Sequence, residues 1–170
     1  MSIRFSAIYV RTPSALPAGA RPAGPAWSAL EIDDGPLGDE PGYEEDPELC
    51  TARGPSARYG EAIYVFEDEG NDQLSYDHCQ DGTLLRKLVY AFDGCASSWT
   101  CIAGTPEPWE DELFGAASLD YHLQFADAAQ EARVREAFAG RALTLGAELP
   151  RAGSAHWIEA HFGIVRPPRR

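Results

Sequence analysis

Residues 61–103, EAIYVFEDEGNDQLSYDHCQDGTLLRKLVYAFDGCASSWTCIA, contain four runs of strand-forming residues separated by three candidate turns. The dipeptide Asp81-Gly82 is favoured in two-residue type I′ hairpins. Clusters of Gly, Asn and Asp at 68–72 and 93–94 mark the other two reversals. The stretch therefore predicts an antiparallel meander of four strands.

The turn at Asp81-Gly82 also predicts how its two strands align. Counting outward from a two-residue loop places Asp77 opposite Arg86 and Leu74 opposite Val89. Asp77 and Arg86 have opposite charges, and such a cross-strand pair stabilises a sheet. The charge pattern therefore supports this alignment.

The last run of the meander, 98–103, places Trp99 and Cys101 on one face, with Cys101 opposite Arg86. Cys79 and Cys101 would then flank the strand between them at a distance of ~10 Å. A disulfide cannot span that separation. We therefore expect these two thiols to stay unlinked.

Around the meander the sequence predicts several further elements. They are a strand at 3–10, a short strand at 27–32, a short helix from Thr105 to Gly115, a strand at 119–125, a helix from an Asp127–Gln130 capping box to Gly140, and a strand at 157–164. Each strand shows apolar alternation, and each helix begins with residues that cap an amino end. In the second helix, the stripe of Val134, Ala137 and Phe138 is expected to dock on the sheet, and Glu131 is expected to pair with Arg135 on the solvent side.

The overall prediction is one α+β domain over residues 1–170. A chain of 170 residues that is 44% hydrophobic can bury a core of ordinary size. The core, 61–165, is expected to hold an antiparallel or mixed sheet of about six strands with two packed helices. Residues 11–60 contain eight of the prolines and many glycines, and they predict a long irregular acidic excursion.

Within that excursion, residues 31–48 hold nine acidic residues and no basic one. An irregular segment of one charge sign can attract a partner of the opposite sign. We predict partner-binding residues at Asp33, Asp34, Asp39, Glu40, Glu44, Glu45, Asp46 and Glu48.

The whole chain has a formal net charge of −13. Such a charge repels nucleic acid and anionic membrane surfaces, and it favours a basic protein partner. No apolar run approaches the ~20 residues that span a bilayer, and the short apolar stretch at 5–10 is too weakly flanked for a secretory signal. The sequence thus predicts a cytoplasmic location, and its preference for Arg over Lys suggests a bacterial source.

Signatures of common catalytic and nucleotide-binding motifs are missing from the sequence. The leading hypothesis is therefore a non-enzymatic acidic protein-binding module, of the inhibitor or immunity type, that neutralises a basic bacterial toxin or enzyme. The alternative is a small acid/base hydrolase. It would use a His/carboxylate cluster formed by two neighbouring strands, with Asp120 and His122 on one and Glu159 and His161 on the other.

Four cysteines are present: Cys50, Cys79, Cys95 and Cys101. In a cytosolic chain, free thiols are expected. A metal-binding module built on Cys79, Cys95 and Cys101 is the third alternative, although no Cys-x-x-Cys pair supports it. We predict no metal site and no cofactor.

Overall fold

The fold is taken from a computed structural model of the chain. The structure describes residues 4–12, 18–33, 46, 48–68, 70–92, 94–151 and 155–168. All structural statements below refer to these residues.

A seven-stranded antiparallel sheet forms the centre of the domain. Its strands are β1 (Arg4–Arg11), β2 (Arg21–Pro22), β3 (Ser28–Asp33), β4 (Glu61–Asp68), β5 (Gln73–Gln80), β6 (Thr83–Phe92) and β7 (Ser97–Gly104). They lie in the order β2-β3-β1-β4-β5-β6-β7. The predicted meander, β4 to β7, therefore forms four of the seven strands, and β1, β3 and β2 extend the sheet beyond β4.

Four α-helices and one 3₁₀ helix accompany the sheet. They are α1 (Arg53–Tyr59), the 3₁₀ helix (Pro108–Phe114), α2 (Ala116–Gln124), α3 (Ala128–Ala139) and α4 (Ala155–Phe162). The combination of an antiparallel sheet with separate helices confirms the predicted α+β fold class. The sheet has one strand more than the six or so expected, and the described residues form five helices instead of the two expected.

The two faces of the sheet bury different cores. On the first face, Trp99, Tyr76 and Tyr90 pack with residues of the 3₁₀ helix and α4 in the larger cluster. On the second face, Tyr64 and Phe66 form a smaller cluster beside α1. Since alternate residues of a strand point to opposite faces, each central strand contributes to both cores.

The β5–β6 hairpin forms as predicted, but its alignment shifts by one residue. Asp81 and Gly82 both have positive φ, as a type I′ turn requires. Gln80 faces Thr83 and Cys79 faces Leu84, after which Leu85 is an extra residue that forms a β-bulge.

Because of this bulge, two of the predicted cross-strand pairs are wrong. Asp77 lies opposite Lys87 rather than Arg86, and Leu74 lies opposite Tyr90 rather than Val89. A bulge depends on contacts with neighbouring chain segments, so counting from the turn cannot reveal it.

A second irregularity corrects the prediction for β7. Trp99 pairs with Tyr90 and Cys101 pairs with Val89, so Thr100 is an extra residue on β7. Trp99 consequently packs in the core of the first face, while Cys101 packs with Val89 and Ala91 on the second. The expectation that Trp99 and Cys101 share a face was wrong.

Two predicted strands are helices. Residues 119–125 lie mostly in α2, and residues 157–164 include most of α4. In α4 the buried residues Ala155, Ile158 and Glu159 follow helical spacing, i, i+3 and i+4. Over only eight residues, a pattern of alternating apolar residues also places apolar residues at helical spacing, so the pattern fits both structures. A helix forms its own backbone hydrogen bonds, whereas a strand needs a neighbouring strand to do so.

The two predicted helices are present, with changes in start and packing. The 3₁₀ helix begins after Glu107 with Pro108 at its first position, two residues later than the predicted Thr105 and Pro106. The capping box of α3 and the Glu131–Arg135 pair are confirmed. Phe138 of α3 packs against Phe114 and His122 of neighbouring helices, so its expected docking on the sheet was wrong.

Part of the excursion at 11–60 is regular. The short strand expected at 27–32 is confirmed as β3, and β2 and α1 were not foreseen. Pro55 lies in the first turn of α1, where proline is tolerated because the first N–H groups have no helical partner. Residues 13–17, 34–45 and 47 lie outside the described part, so its irregularity there stays a prediction.

Gly104 is required where β7 passes into the segment that precedes the 3₁₀ helix. Its φ is +81°, and a Cβ there would lie 2.0 Å from the carbonyl oxygen of Leu85. That oxygen accepts a hydrogen bond from the backbone N–H of Thr105. The bulge at Leu85 and the path of the following segment therefore depend on a residue without a side chain.

We expect Gly104→Ala to lower the free energy of unfolding by more than about 1 kcal/mol, because alanine is strained at this φ and meets the Leu85 carbonyl. Chemical denaturation measures the change. The matched control is Gly54→Ala, because a Cβ at Gly54 in α1 meets nothing within 4 Å. It should leave the stability unchanged or raise it. Equal stability of the two variants would contradict the steric argument.

Candidate functional site

The structure describes only the end of the acidic segment. Asp46 and Glu48 are exposed, and Asp33 is the last residue of β3. The Asp46 carboxylate accepts a hydrogen bond from the backbone N–H of Glu48. The other predicted partner-binding residues, Asp34, Asp39, Glu40, Glu44 and Glu45, lie outside the described residues.

Glu48 has one basic neighbour. Its carboxylate lies 3.9 Å from the guanidinium of Arg53, and both side chains are exposed. An ion pair of this length at the surface contributes little, because water screens it. The carboxylate at this end of the segment thus remains accessible to solvent.

The chain immediately after Glu48 is held on the second face of the sheet by a buried ion pair. Lys87 donates to Asp77 at 3.0 Å and to the backbone carbonyl of Leu49 at 3.1 Å. Asp77 also accepts from the backbone N–H of Thr51 at 2.7 Å. The Lys87 and Asp77 side chains are 1% and 0% exposed, so water does not compete for these contacts. The end of the acidic segment is therefore attached to the centre of the sheet.

On the first face, His78 lies between two carboxylates. Its Nδ1 is 2.5 Å from Oε1 of Glu107, and its Nε2 is 3.1 Å from Oε1 of Glu61. Arg11 forms an ion pair with the same Glu61. Both ring nitrogens therefore face acceptors, an arrangement that requires the doubly protonated, cationic imidazole.

The pKa of His78 reflects this position. Burial alone would lower it, but the hydrogen bonds with Glu107 and then Glu61 outweigh burial and raise the pKa of His78 to about 9. Burial likewise acts to raise the pKa of Glu107 and of Glu61, but the hydrogen bonds with His78 dominate and lower both. At neutral pH the cluster is a cation held between two anions.

Glu107 is the centre of this cluster. Its second oxygen accepts from the Tyr76 hydroxyl at 2.5 Å and from Trp109 Nε1 at 2.9 Å. Burial, followed by the charge of Glu107, raises the pKa of the Tyr76 hydroxyl well above its ordinary value. Each of these groups is bonded to a fixed neighbour, so the cluster stabilises the fold and leaves no nitrogen of His78 to act as a base.

A second ion pair secures the start of the 3₁₀ helix. Arg86 donates to both oxygens of Glu110 at 2.8 and 2.7 Å, and also to the backbone carbonyls of Ala103 and Gly104. Glu110 in turn accepts from the backbone N–H of Glu107 in a capping box. Planar bidentate pairs of this kind are geometrically specific. Glu107 is therefore positioned by β6 and by its own helix.

The first pair of residues considered for the acid/base alternative lies on α2. Asp120 is exposed, whereas His122 is half-buried and lines an open groove of about 1160 Å³. Burial, followed by the charge of Arg151, lowers the pKa of His122. The exposed aromatic rings of Tyr121, Phe125 and Phe92 line the same groove.

The second pair lies on α4. Glu159 is buried, accepts from the Tyr9 hydroxyl at 2.7 Å and forms a bidentate ion pair with Arg166. His161 is exposed, and its ring contacts Phe162. Among the described residues, no hydrogen bond or ion pair joins this pair to Asp120 or His122. The shared strand faces that the hypothesis required do not exist, because both segments are helices.

The arrangement of the potential metal ligands bears on the metal-binding alternative. Within the described ranges, no group of three or more His, Cys, Asp or Glu side chains is arranged to hold a metal ion. Cys79 and Cys101 are buried, and Cys95 is exposed. The helices that the structure describes are all too short or too polar to cross a membrane.

Sequence reasoning missed the buried Lys87–Asp77 pair on the second face and the buried groups around His78 and Arg86 on the first face. The available signal was the presence of polar, ionisable residues at two adjacent positions in the middle of β5 and of β6, where a strand with both faces covered normally carries apolar residues. Asp77, His78, Arg86 and Lys87 are all buried. His78 and Arg86 have partners in other segments of the chain, Glu107 and Glu110 among them, whereas Asp77 and Lys87 meet because of the bulge at Leu85.

The fold and these clusters together define a single-domain α+β protein in which the buried side chains of Asp77, His78, Arg86 and Lys87 are paired with groups of opposite charge. No family model, no curated protein and no solved structure matches the chain.

Proposed function

We propose that the protein is a non-enzymatic acidic binding module that recognises a basic protein partner, as an inhibitor or immunity-type protein does when it neutralises a basic bacterial toxin or enzyme. The observation that carries the proposal is the run of nine acidic residues without a base at 31–48. Its described end bears the exposed carboxylates of Asp46 and Glu48.

The distribution of the basic residues supports this function. Arg86, Lys87 and Arg166 are paired with buried carboxylates inside the domain. Other arginines form surface pairs with carboxylates outside 31–48, including Arg135, Arg141 and Arg151. These bases are thus engaged elsewhere, and Arg53 forms an ion pair with Glu48 at the described end of the segment. A concentrated negative field of this kind accelerates association with a cationic surface.

The attachment of the segment supports a binding role as well. Leu49 and Thr51 are bonded to Lys87 and Asp77 at the centre of the sheet. Attachment at this point limits the positions that the neighbouring carboxylates can reach. A restricted binding segment loses less conformational entropy when a partner is bound.

The alternative, a small acid/base hydrolase, has less support. His122 is the one candidate histidine that lines the described groove, and its described hydrogen bond is to the backbone N–H of Arg151 at 3.4 Å. Within the described residues, no carboxylate is bonded to its ring. Nothing in this geometry favours acid/base chemistry over partner binding.

The test compares two variants that each lose four negative charges. The first neutralises the acidic segment through the substitutions D39N, E40Q, E44Q and E45Q. The control neutralises exposed carboxylates elsewhere through D81N, E112Q, E136Q and E148Q. Because their net charges are equal, any difference between them reports the location of the charge.

Each immobilised protein is incubated with a lysate of the source organism at low and at high salt. We expect the wild type and the control to retain a basic protein at low salt and to release it at high salt, because salt screens exposed charges. The variant of the acidic segment should bind that protein at least about tenfold more weakly, a difference of ~1.4 kcal/mol. Recovery of no basic protein, or equal binding by both variants, would refute the proposal.

A further inference from the structure

Cys50 and Cys79 form the closest pair of reactive groups outside the ionic clusters. Their sulfur atoms are 2.9 Å apart in the free-thiol state. Bonded sulfurs lie at ~2.05 Å, so a movement of about 1 Å would join them. The sequence predicted only that Cys79 and Cys101 stay unlinked. In the structure, the thiol next to Cys79 is that of Cys50, two residues beyond the acidic segment.

Contacts on both sides of Cys50 hold it in this position. Leu49 accepts a hydrogen bond from Lys87, and Thr51 donates one to Asp77. Cys79 lies on β5 two residues beyond Asp77, on the same face of the sheet. The ion pair that attaches the segment therefore also places one thiol against the other.

We propose that Cys50 and Cys79 are a redox modification site, which a small-molecule disulfide such as oxidised glutathione converts into an intramolecular disulfide. The bond closes a loop from residue 50 to residue 79. It thereby links the chain just after the acidic segment covalently to β5. The inference does not depend on the proposed partner, because the thiols can be measured in the isolated protein.

The exchange has two steps. The Cys50 thiolate attacks one sulfur of the small disulfide, forming a mixed disulfide and releasing one thiolate. The Cys79 thiolate then attacks the Cys50 sulfur, forming the protein disulfide and releasing the second thiolate. The two protein thiols lose two electrons and two protons in total, and the small disulfide becomes two thiols.

Accessibility sets this order. Cys50 is partly exposed, whereas Cys79 is buried, so a small disulfide reaches Cys50 first. The hydrogen bond with Cys79, followed by burial, raises the pKa of Cys50, and the same hydrogen bond lowers the pKa of Cys79. Cys79 is thus the more acidic thiol, which suits the resolving step, and exposure is what favours the first attack at Cys50. An accessible thiol next to a resolving thiol is the usual arrangement of a reversible redox site.

The experiment uses the full chain with the exposed Cys95 replaced by serine, so that it cannot react. The reduced protein is incubated with oxidised glutathione and alkylated, and its free thiols are counted by intact mass. We expect the count to fall from three to one, and peptide mapping should show a Cys50–Cys79 link.

Two further variants distinguish the proposed route from simple surface oxidation. With Cys79→Ser added, Cys50 should retain one glutathione, because no resolving thiol is present. With Cys50→Ser added, both remaining thiols should stay free, because Cys79 and Cys101 are buried. A protein that keeps three thiols, retains glutathione on Cys50 while Cys79 is present, or links other cysteines would overturn the inference.

Discussion

Replacing Lys87 by methionine is expected to lower the free energy of unfolding by about 3–5 kcal/mol. Methionine fills a similar volume, but it removes the cation that, among the described residues, is bonded to the Asp77 side chain, which is 0% exposed. An isolated carboxylate in that position is strongly destabilising. The change also removes the hydrogen bond to Leu49 that holds the end of the acidic segment. Urea denaturation monitored by tryptophan fluorescence measures the loss.

Two comparisons test the physical reason for the effect of Lys87. The control Arg135→Ala breaks an exposed pair with Glu131 and should reduce stability by less than about 1 kcal/mol. The double variant with Asp77→Asn and Lys87→Met should be more stable than Lys87→Met alone, because no unpaired charge remains. If the double variant were the less stable protein, the buried-charge explanation would be wrong.

Replacing Glu107 by glutamine is expected to lower the free energy of unfolding by about 3 kcal/mol. The carboxylate accepts hydrogen bonds from His78, Tyr76 and Trp109. A glutamine amide has only one acceptor oxygen, and its NH₂ group must face at least one of these donors. The same substitution removes the anion that contributes most to the raised pKa of His78.

The pH dependence of stability tests the same contact. The pKa of His78 is raised from 6.5 to about 9 in the folded protein. Its contribution is therefore complete below pH 6.5 and is lost as the pH rises through about 9. Over that window we expect the free energy of unfolding of the wild type to fall by up to ~1.4 kcal/mol per pH unit.

Glu107→Gln should reduce this slope, because the pKa of His78 then moves back toward its ordinary value. The control Glu112→Gln changes an exposed carboxylate of the same 3₁₀ helix and should preserve both the stability and the slope. Denaturation curves at several pH values measure all three proteins. Equal slopes in the wild type and in Glu107→Gln would show that Glu107 does not hold the proton on His78.

Features that depend on a few adjacent residues were predictable from the sequence, whereas features that depend on contacts between distant residues were not. The hairpin at Asp81-Gly82 and the capping box at Asp127 were recognised because a few adjacent residues determine each of them. Residues 119–125 and 157–164 were misassigned because their short alternating patterns fit a strand as well as a helix. Packing against the sheet and against other helices selected the helical form.

The residues of the candidate site show the same division. The acidic composition of 31–48 is visible in the sequence without any structure. The attachment of its end to Lys87 is not visible, because the bulge at Leu85 changes the partner of Asp77 from Arg86 to Lys87. The pairing of Cys50 with Cys79 depends on the same attachment.

By itself, the sequence determined the α+β class, the meander and the concentration of negative charge, since local propensity, turn chemistry and composition act over a few residues. Only the tertiary structure decided which charged side chains are buried together and where the acidic segment is attached. These choices depend on contacts between residues far apart in the chain, such as His78 with Glu107 and Lys87 with Leu49. Burial makes such contacts obligatory, because a charge removed from water must be paired.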